Sequence, residues 1–234
     1  MIEIKQRRPR RTKANLMDCI FLAAEELIRK NGFSNILVTD IIKQAKIEPI
    51  VFYNRFPNLD SFLNEFVKHY DYWFSDILKK IKNPFLSKQG LIEIFQQLLL
   101  ELNNDSIMLE LLRWEVANGN NTTNRTAMLR EIHITPLVKE FEKEFNHKGI
   151  DIAALTAIII GGLYYLSLHK DRSTFSNIDI NTKEGFSRIL NSIAFFVNKI
   201  YDDNNIENEK KLIEQRLKEA GINDNIIQQC VWTN

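Results

Sequence analysis

The sequence is poor in cysteine, glycine and proline, with 2 Cys, 8 Gly and 5 Pro among 234 residues. The two cysteines, Cys19 and Cys230, form neither a metal-binding spacing nor a disulfide framework, which favours a reducing cytoplasm. So few glycines and prolines argue against a β-rich fold with many tight turns. The phosphate-loop, nucleophile-elbow and zinc-protease motifs are also missing, so we expect no enzymatic activity, no cofactor and no metal site.

Positive charge is concentrated near the N-terminus, although the formal net charge of the chain is only +1. Residues 1–59 hold 11 Lys and Arg against 6 Asp and Glu. The basic side chains among the first 13 residues are Lys5, Arg7, Arg8, Arg10, Arg11 and Lys13. Such a run is either a solubilising tail or an arm that binds nucleic acid. It has no apolar core like that of a secretory signal, which agrees with a cytoplasmic protein.

One long uncharged run, IAALTAIIIGGLYYLSL at residues 152–168, has a length at the short end of what a membrane helix needs. Gly161 and Gly162 weaken it as an isolated helix, and Asp151 and Lys170 bracket it closely. An apolar helix of this kind can instead be buried in a protein core or in an oligomer interface. We therefore expect no membrane span.

The rest of the chain has the apolar periodicity of helices separated by short polar loops. Ile20, Ala24 and Leu27 are spaced by four and three, as on one helical face, and Gly32 is suited to end that helix. The later apolar patterns predict helices over residues 38–45, 49–56, 59–81, 88–103, 106–118, 123–147, 151–169, 182–202, 207–220 and 224–231. Pro136 is expected to kink or split one of them. With no alternating strand pattern, we expect an all-α fold.

The two short predicted helices, 38–45 and 49–56, are joined by about three residues, which is the layout of a helix-turn-helix. The second helix of that motif lies in the major groove of DNA. Phe52 and Phe56, spaced by four, can supply the apolar back that so short a helix needs. The remaining face offers Pro49, Ile50, Tyr53 and Asn54.

In this setting the sequence RKNGF, followed by VTDIIKQAKIEPIVFYNRFPNLDSF, resembles the DNA-binding domain of TetR-type transcriptional repressors. The matched positions, within about residues 12–70, are Gly32, Phe33, Asp40, Ile41, Ala45, Ile47, Phe52, Tyr53 and Phe56. The resemblance implies an all-α chain with an N-terminal three-helix DNA-binding domain and a larger helical ligand-binding and dimerisation domain. The expected divisions are a basic arm at 1–13, the helix-turn-helix domain at 14–58, the large domain at 59–203 and a helical extension at 204–234.

The resemblance also implies which side chains meet DNA. Tyr53 matches a tyrosine that contacts a backbone phosphate, and Arg55 takes a position that still offers a phosphate donor. Pro49 and Ile50 begin the recognition helix, where residues face the bases. Asn54 either pairs with adenine or is simply solvated. The predicted DNA contacts are Arg7, Arg8, Arg10, Arg11, Thr39, Lys46, Pro49, Ile50, Tyr53, Asn54 and Arg55.

Several residues depart from the family pattern. Lys46 stands where the family has a turn glycine, so the turn holds a side chain at positive φ, or the lysine contacts phosphate. Leu37 and Glu48 replace the usual Ser or Thr caps, whereas Asn58 keeps a cap. Leu59 replaces a phosphate-binding lysine. An alternative interpretation is therefore a helical protein-interaction or small-molecule-binding module that has lost sequence-specific DNA reading.

The large domain is rich in aromatic and Met side chains, which line ligand sites but more often form plain core. Glu115 could orient a cationic ligand, or pair with Arg125 or Arg130. The candidate pocket residues are His69, Trp73, Met108, Trp114, Glu115 and Met128. The expected ligand is a small apolar or amphipathic molecule.

Together these features predict a ligand-responsive, DNA-binding transcriptional regulator of the repressor type. It would act as a homodimer on a palindromic operator in double-stranded DNA. The resemblance assigns the dimer contact to the helices at about 151–169 and 182–202. A continuous helix over 59–81 would run from the DNA-binding domain into the large domain and act as the lever between them.

Overall fold

A computed structural model describes residues 13–202 and 204–232, and every regular element in those residues is helical, apart from an isolated bridge between Phe175 and Ile178. The main helices are α1 (Lys13–Asn31), α2 (Val38–Ala45), α3 (Pro49–Tyr53), α4 (Leu59–Phe66), α5 (Trp73–Leu78), α6 (Lys88–Asn104), α7 (Ser106–Ala117), α8 (Asn121–Phe145), α9 (Ile152–His169), α10 (Lys183–Tyr201), α11 (Asn204–Glu219) and α12 (Asp224–Ile227). The predicted all-α fold is confirmed.

The interior of the N-terminal three-helix domain, formed by α1, α2 and α3, is aromatic. Phe52 of α3 is fully buried, and its ring centroid lies 5.5 Å from that of Phe62 in α4. Phe56 lies 5.1 Å from Phe62, which in turn lies 5.9 Å from Phe66. Ring pairs at these separations stabilise a fold beyond the burial of their area. Helix α3 has only five residues and is not stable alone, so this cluster is what holds it in place.

The prediction of one continuous helix over residues 59–81 is wrong. Helix α4 ends at Phe66, a 3₁₀ turn follows over Val67–Tyr70, and α5 begins only at Trp73. Tyr72 has φ −104° and ψ 9°, outside the helical range. The segment between the two domains is therefore an interrupted helix rather than a continuous one.

Contacts from α8 explain where this segment breaks. Arg125 donates through Nε to Asn64 Oδ1 at 3.1 Å and through Nη1 to Asp71 Oδ2 at 2.8 Å. The Tyr72 ring stacks on the His133 ring with centroids 5.1 Å apart. These tertiary contacts override the local helical preference of the segment, and no periodicity in residues 59–81 reports them.

One other boundary differs from expectation, because α3 ends at Tyr53, three residues before Phe56. Helix α8 runs through Pro136 without being split, although that proline removes one backbone hydrogen bond from its interior. Helix α2, by contrast, has the predicted bounds.

Helix α6 lies at the centre of the large domain and packs against α5, α7, α9 and α10. Its buried side chains are Leu91, Ile92, Ile94, Phe95, Leu98, Leu99 and Leu102. Ser87 caps the helix by accepting a hydrogen bond from the N–H of Gly90. A Cβ atom on Gly90 would lie 2.0 Å from the carbonyl oxygen of Pro84, so only glycine allows the preceding turn to approach this closely.

The C-terminal extension folds back on itself. Gly221, at φ +78°, ends the first of its helices, and α12 then returns along α11. Ile227 is buried in this hairpin, and the Trp232 indole donates to Glu214 at 3.0 Å. The role of this hairpin was left open by the sequence.

Candidate nucleic-acid interface

The turn between α2 and α3 is built around Lys46, which has φ 52° and ψ 51°. Its N–H donates to the carbonyl of Lys43, and the N–H of Ile47 donates to the carbonyl of Ile42, both at 3.2 Å. This pair of hydrogen bonds is the Schellman motif, in which the left-handed position is usually glycine. The predicted positive φ at Lys46 is confirmed, and it aims an exposed lysine out of the turn.

Helix α3 begins at Pro49, whose fixed φ suits the first helical position. Glu48 precedes it in extended geometry, and neither it nor Leu37 before α2 provides a side-chain cap. The front of α3 is exposed: Ile50 has 64% of its surface accessible and Tyr53 has 49%. Ile50 and Tyr53 therefore face solvent on a helix whose back is buried.

The remaining predicted DNA contacts divide into three groups. Thr39 and Asn54 are exposed, like Lys46 and Pro49. Arg55 is half-buried, because its Nη1 donates to the carbonyl of Val51 at 2.9 Å and closes the end of α3. The arm residues Arg7, Arg8, Arg10 and Arg11 lie outside the described residues. The helix-capping role of Arg55 could have been suspected from its spacing of four from Val51.

The N-terminal domain is fixed to the large domain by a contact between aromatic rings. Phe33 follows α1 and stacks on Trp114 of α7, with centroids 5.0 Å apart and planes 7° apart. Beside the stack, Asn118 Nδ2 donates to Ser34 Oγ at 3.0 Å. Phe33 also lies 6.1 Å from Phe66, so the stack joins the aromatic cluster behind α3 to α7.

This arrangement of helices occurs in solved structures of other proteins. GusR from Salmonella enterica matches with a TM-score of 0.58 and 10% identity, over 82% of this chain and 98% of its own. The fatty acid degradation regulator FadR from Bacillus halodurans matches with a TM-score of 0.58 and 16% identity, over 82% and 96%. A TetR-family transcriptional regulator from Vibrio parahaemolyticus matches with a TM-score of 0.53 and 16% identity, over 76% and 95%. The chain has the TetR-type fold.

At these identities the resemblance deduced from residues 12–70 is confirmed as a likeness of fold. It extends well past those residues, because at least 76% of the chain is covered in each of the three matches. In sequence, no family model and no curated protein matches the chain.

Within this TetR-type fold, three of the predicted pocket residues belong to the packed interior. Trp73, Met108 and Trp114 are buried. Trp114 is occupied by its stack on Phe33, which couples the two domains instead of lining a cavity. Trp73 has an indole N–H that is buried without a partner in the described structure.

The other three predicted pocket residues lie apart from one another. His69 is exposed beside α1, with its ring 5.0 Å from that of Phe21, and Met128 is exposed on α8. Glu115 pairs with Arg130, which was one of its two expected partners. None of the six predicted residues lines the two cavities that adjoin α8 and α9.

The Glu115–Arg130 ion pair is almost completely buried, with 8% and 10% of the two side chains exposed. Arg130 Nη1 donates to Glu115 Oε1 at 2.9 Å, and Nη2 donates to Oε2, which makes the pair bidentate. The Thr126 hydroxyl donates to the same carboxylate at 2.5 Å. Burial raises the pKa of the neighbouring Tyr164 phenol above its ordinary value, so this phenol stays protonated.

The last two helices of the TetR-type fold expose an apolar face. Helix α9 is the one described helix long and apolar enough to cross a membrane, but such helices also occur in soluble proteins. Its exposed residues repeat at helical spacing and are Ala154, Ala157, Ile158, Gly161, Gly162 and Tyr165. On α10, Phe195 and Phe196 are each more than half exposed. A Cβ atom on Gly161 or Gly162 would meet nothing within 4 Å, so the surface there is open.

Proposed function

We propose that this chain is a DNA-binding transcriptional regulator of the repressor type, which acts in the cytoplasm by binding rather than by catalysis. The observation that carries the proposal is the build of α3. Phe52 is buried behind it, while Ile50, Tyr53 and Asn54 are exposed in front, on a helix-turn-helix within the TetR-type fold. A recognition helix needs this combination, because its back must be anchored while its front enters the major groove.

The exposed side chains suggest a division of labour at DNA. We assign Tyr53, Lys46 and Thr39 to backbone phosphates, which position the protein without reading sequence. Ile50 and Asn54 are assigned to base edges, through contact with thymine methyl groups and a bidentate pair with adenine. Arg55 contributes less, since part of its guanidinium is engaged with α3 itself. The basic arm would add phosphate or minor-groove contacts.

The regulator would act as a homodimer through α9 and α10. The exposed apolar stripe of α9 and the exposed Phe195 and Phe196 of α10 form a surface that water disfavours. Gly161 and Gly162 lie in the middle of α9, where each weakens the helix by about 1 kcal/mol relative to alanine. Because glycine has no side chain, these two positions would allow a helix of the second copy to pack closely against α9. Twofold pairing would then place two recognition helices about 34–36 Å apart, one DNA turn.

A small apolar or amphipathic molecule would control this dimer. Such a ligand alters DNA affinity only if it binds one arrangement of the recognition helices more tightly than another. The Phe33–Trp114 stack connects the N-terminal domain to α7, and the Arg125 contacts connect α8, which lines both cavities, to α4 and the turn that follows it.

Fluorescence anisotropy with a palindrome selected from random duplex DNA tests the proposal. Tyr53→Phe, which keeps the ring packing and removes the hydroxyl, should weaken binding about tenfold. Tyr72→Phe removes a comparably exposed phenol from the large domain and should leave DNA affinity unchanged. Removal of residues 1–12 should lower the slope of log affinity against log salt by about 0.9 for each phosphate that the arm neutralises.

Failure to select any duplex, or equal binding by parent and Tyr53→Phe protein, would refute DNA reading by α3. Light scattering on the same samples tests the dimer separately. A monomer at micromolar concentration would refute pairing through α9 and α10.

A second candidate function rests on the apolar leading edge of α3. Pro49 and Ile50 are exposed and carry no side-chain hydrogen-bond donor, as would suit a protein-binding helix that has lost DNA reading. In that case Ile50→Ala would abolish capture of a protein partner, and no DNA would be selected. If DNA is the target, Ile50→Ala should instead weaken binding several-fold and relax preference at a thymine position.

A further inference from the structure

Two cavities adjoin each other between α8 and α9. The outer one has a volume of about 390 Å³, and the inner one about 30 Å³. Both are lined by Ile134, Val138, Thr156 and Ile160, so only these side chains separate them. The inner cavity ends among aromatic and aliphatic side chains of α5, α6 and α8. A mostly apolar lining therefore extends from the surface of α9 to the small inner cavity, and the outer volume lies in the usual range for small-molecule sites.

The polar end of the outer cavity carries no net charge. Arg130 and Tyr164 line it, and the Arg130 guanidinium is already neutralised by the bidentate Glu115 carboxylate. Burial keeps the pKa of Tyr164 above its ordinary value, and as a neutral phenol it can donate its proton to a ligand oxygen. At the mouth, the exposed Glu131 carboxylate would repel an anion. An anionic head group would thus be desolvated here beside a carboxylate and without an uncommitted cation.

The open side of the outer cavity coincides with the exposed face of α9. Ala157 and Gly161 line the cavity, and both belong to the apolar stripe that we assign to the dimer contact. One copy of the chain lines this cavity with residues of α8 and α9. The second copy in the proposed dimer would cover its open side.

We propose that an uncharged amphiphile, with an alcohol, aldehyde or ester head and an aliphatic tail, binds in this cleft. The head lies at Arg130 and Tyr164, the tail passes Ile134 and Ile160 toward the inner cavity, and the second copy of the chain closes the outer wall. The inference rests on the proposed dimer and specifies the chemistry of its ligand.

Calorimetric titration of the full-length protein with 1-decanol, decanoate and decylamine at pH 7 tests this chemistry. The alcohol should bind at least about tenfold more tightly than decanoate, because the cavity holds no uncommitted cation for the carboxylate. Decylamine should bind more weakly than the alcohol, because its ammonium would be desolvated beside the Arg130 guanidinium, and tighter binding of decylamine than of 1-decanol would overturn the uncharged head. Affinity should rise about fourfold per methylene group from 1-octanol to 1-decanol, as expected for burial of the tail.

Two neighbouring substitutions on α8 locate the site. Ala127→Phe adds a ring at an exposed position on the edge of the outer cavity and should weaken 1-decanol binding more than about tenfold, since the ring competes with the ligand for space at the opening. Met128→Phe, one residue further on, adds a ring to an exposed position outside the cavity and should leave affinity within about twofold of the parent.

Light scattering on the same samples separates this inference from the function on which it rests. A dimer that binds none of the three compounds, binds decanoate as tightly as 1-decanol, or is indifferent to Ala127→Phe overturns the ligand assignment and leaves the regulator proposal intact. If the protein is monomeric and still prefers 1-decanol by the expected factor, both the proposed dimer and the closing of the cavity by a second copy are overturned. A dimer that prefers the alcohol and loses it in Ala127→Phe supports both.

Discussion

Replacing Arg130 by methionine should be among the most destabilising single changes in the large domain. The substitution leaves the Glu115 carboxylate buried, with the Thr126 hydroxyl as its remaining hydrogen-bond donor within the described part of the chain. Removing one partner of a buried ion pair costs about 3–5 kcal/mol, because the remaining charge stays desolvated. The expected result is a loss of that size in the free energy of unfolding.

A matched control lies on the same helix. Lys143 pairs with Glu140 at 2.6 Å, but 73% and 54% of these side chains are exposed. Lys143→Met should change the free energy of unfolding by less than about 0.5 kcal/mol, because an exposed pair contributes little. Urea unfolding followed by circular dichroism measures both, at one fixed protein concentration, since the stability of a dimer depends on it.

The double variant Glu115→Leu/Arg130→Met completes the cycle. It removes both charges, and Thr126 can still donate to the carbonyl of Thr123 at 3.0 Å. Its free energy of unfolding should lie within about 1 kcal/mol of the parent's. The loss in the double variant should therefore be much smaller than the sum of the losses in the two single variants. A single Arg130→Met loss below about 1 kcal/mol, or a double variant as unstable as that sum, would refute the reasoning.

Three further predictions concern the backbone and one phenol. Lys46→Gly should raise the free energy of unfolding by about 0.5–1 kcal/mol, because it relieves the positive φ, and Lys46→Ala should not; urea midpoints decide this. Gly90→Ala should lower the free energy of unfolding by about 1–3 kcal/mol or more, because the new methyl group meets the Pro84 carbonyl. The expected measurement is a lower Tm with unchanged helix content in the circular dichroism spectrum. Burial raises the pKa of Tyr201 from 10.0 to about 12, and its hydroxyl donates to the Leu86 carbonyl at 2.6 Å. The contribution of the neutral Tyr201 phenol to the free energy of unfolding is therefore fully present below pH 10 and is lost as the pH rises toward 12. Because Tyr201→Phe removes the titrating group, the free energy of unfolding of this variant should fall less steeply between pH 10 and pH 12 than that of the parent.

Local signals in the sequence predicted the elements that depend on local chemistry. The bounds of α2 and the cap at Asn58, which accepts from the Ser61 N–H at 2.8 Å, follow from neighbours in the chain, whereas the positive φ of Lys46 follows from the resemblance, which has a glycine at that turn. The apolar back of α3 was equally visible, because Phe52 and Phe56 are one helical turn apart.

The misses depend on contacts between residues far apart in sequence. The break after α4 follows from Arg125, which lies 54 positions from Asp71. Trp114 looked like a ligand contact, but it is taken up by Phe33, 81 positions earlier in the chain. The cavities lie between α8 and α9, and their lining is mostly ordinary aliphatic residues that no spacing distinguishes from core.

The interruption between α4 and α5 changes how a displacement would pass through this protein. A straight helix would push or pull the recognition helix along one axis, with a stiffness set by that helix. Here α4 and the turn after it are held instead by side contacts. Arg125 of α8 hydrogen-bonds to Asn64 and Asp71, and Phe33 stacks on Trp114 of α7. A sideways displacement of α8 would therefore rotate α4 about the turn at residues 67–72. The distance between two paired recognition helices would then change through a tilt of α4. Weakening the Arg125 hydrogen bonds would disconnect this tilt from movements of α8 while leaving both domains folded.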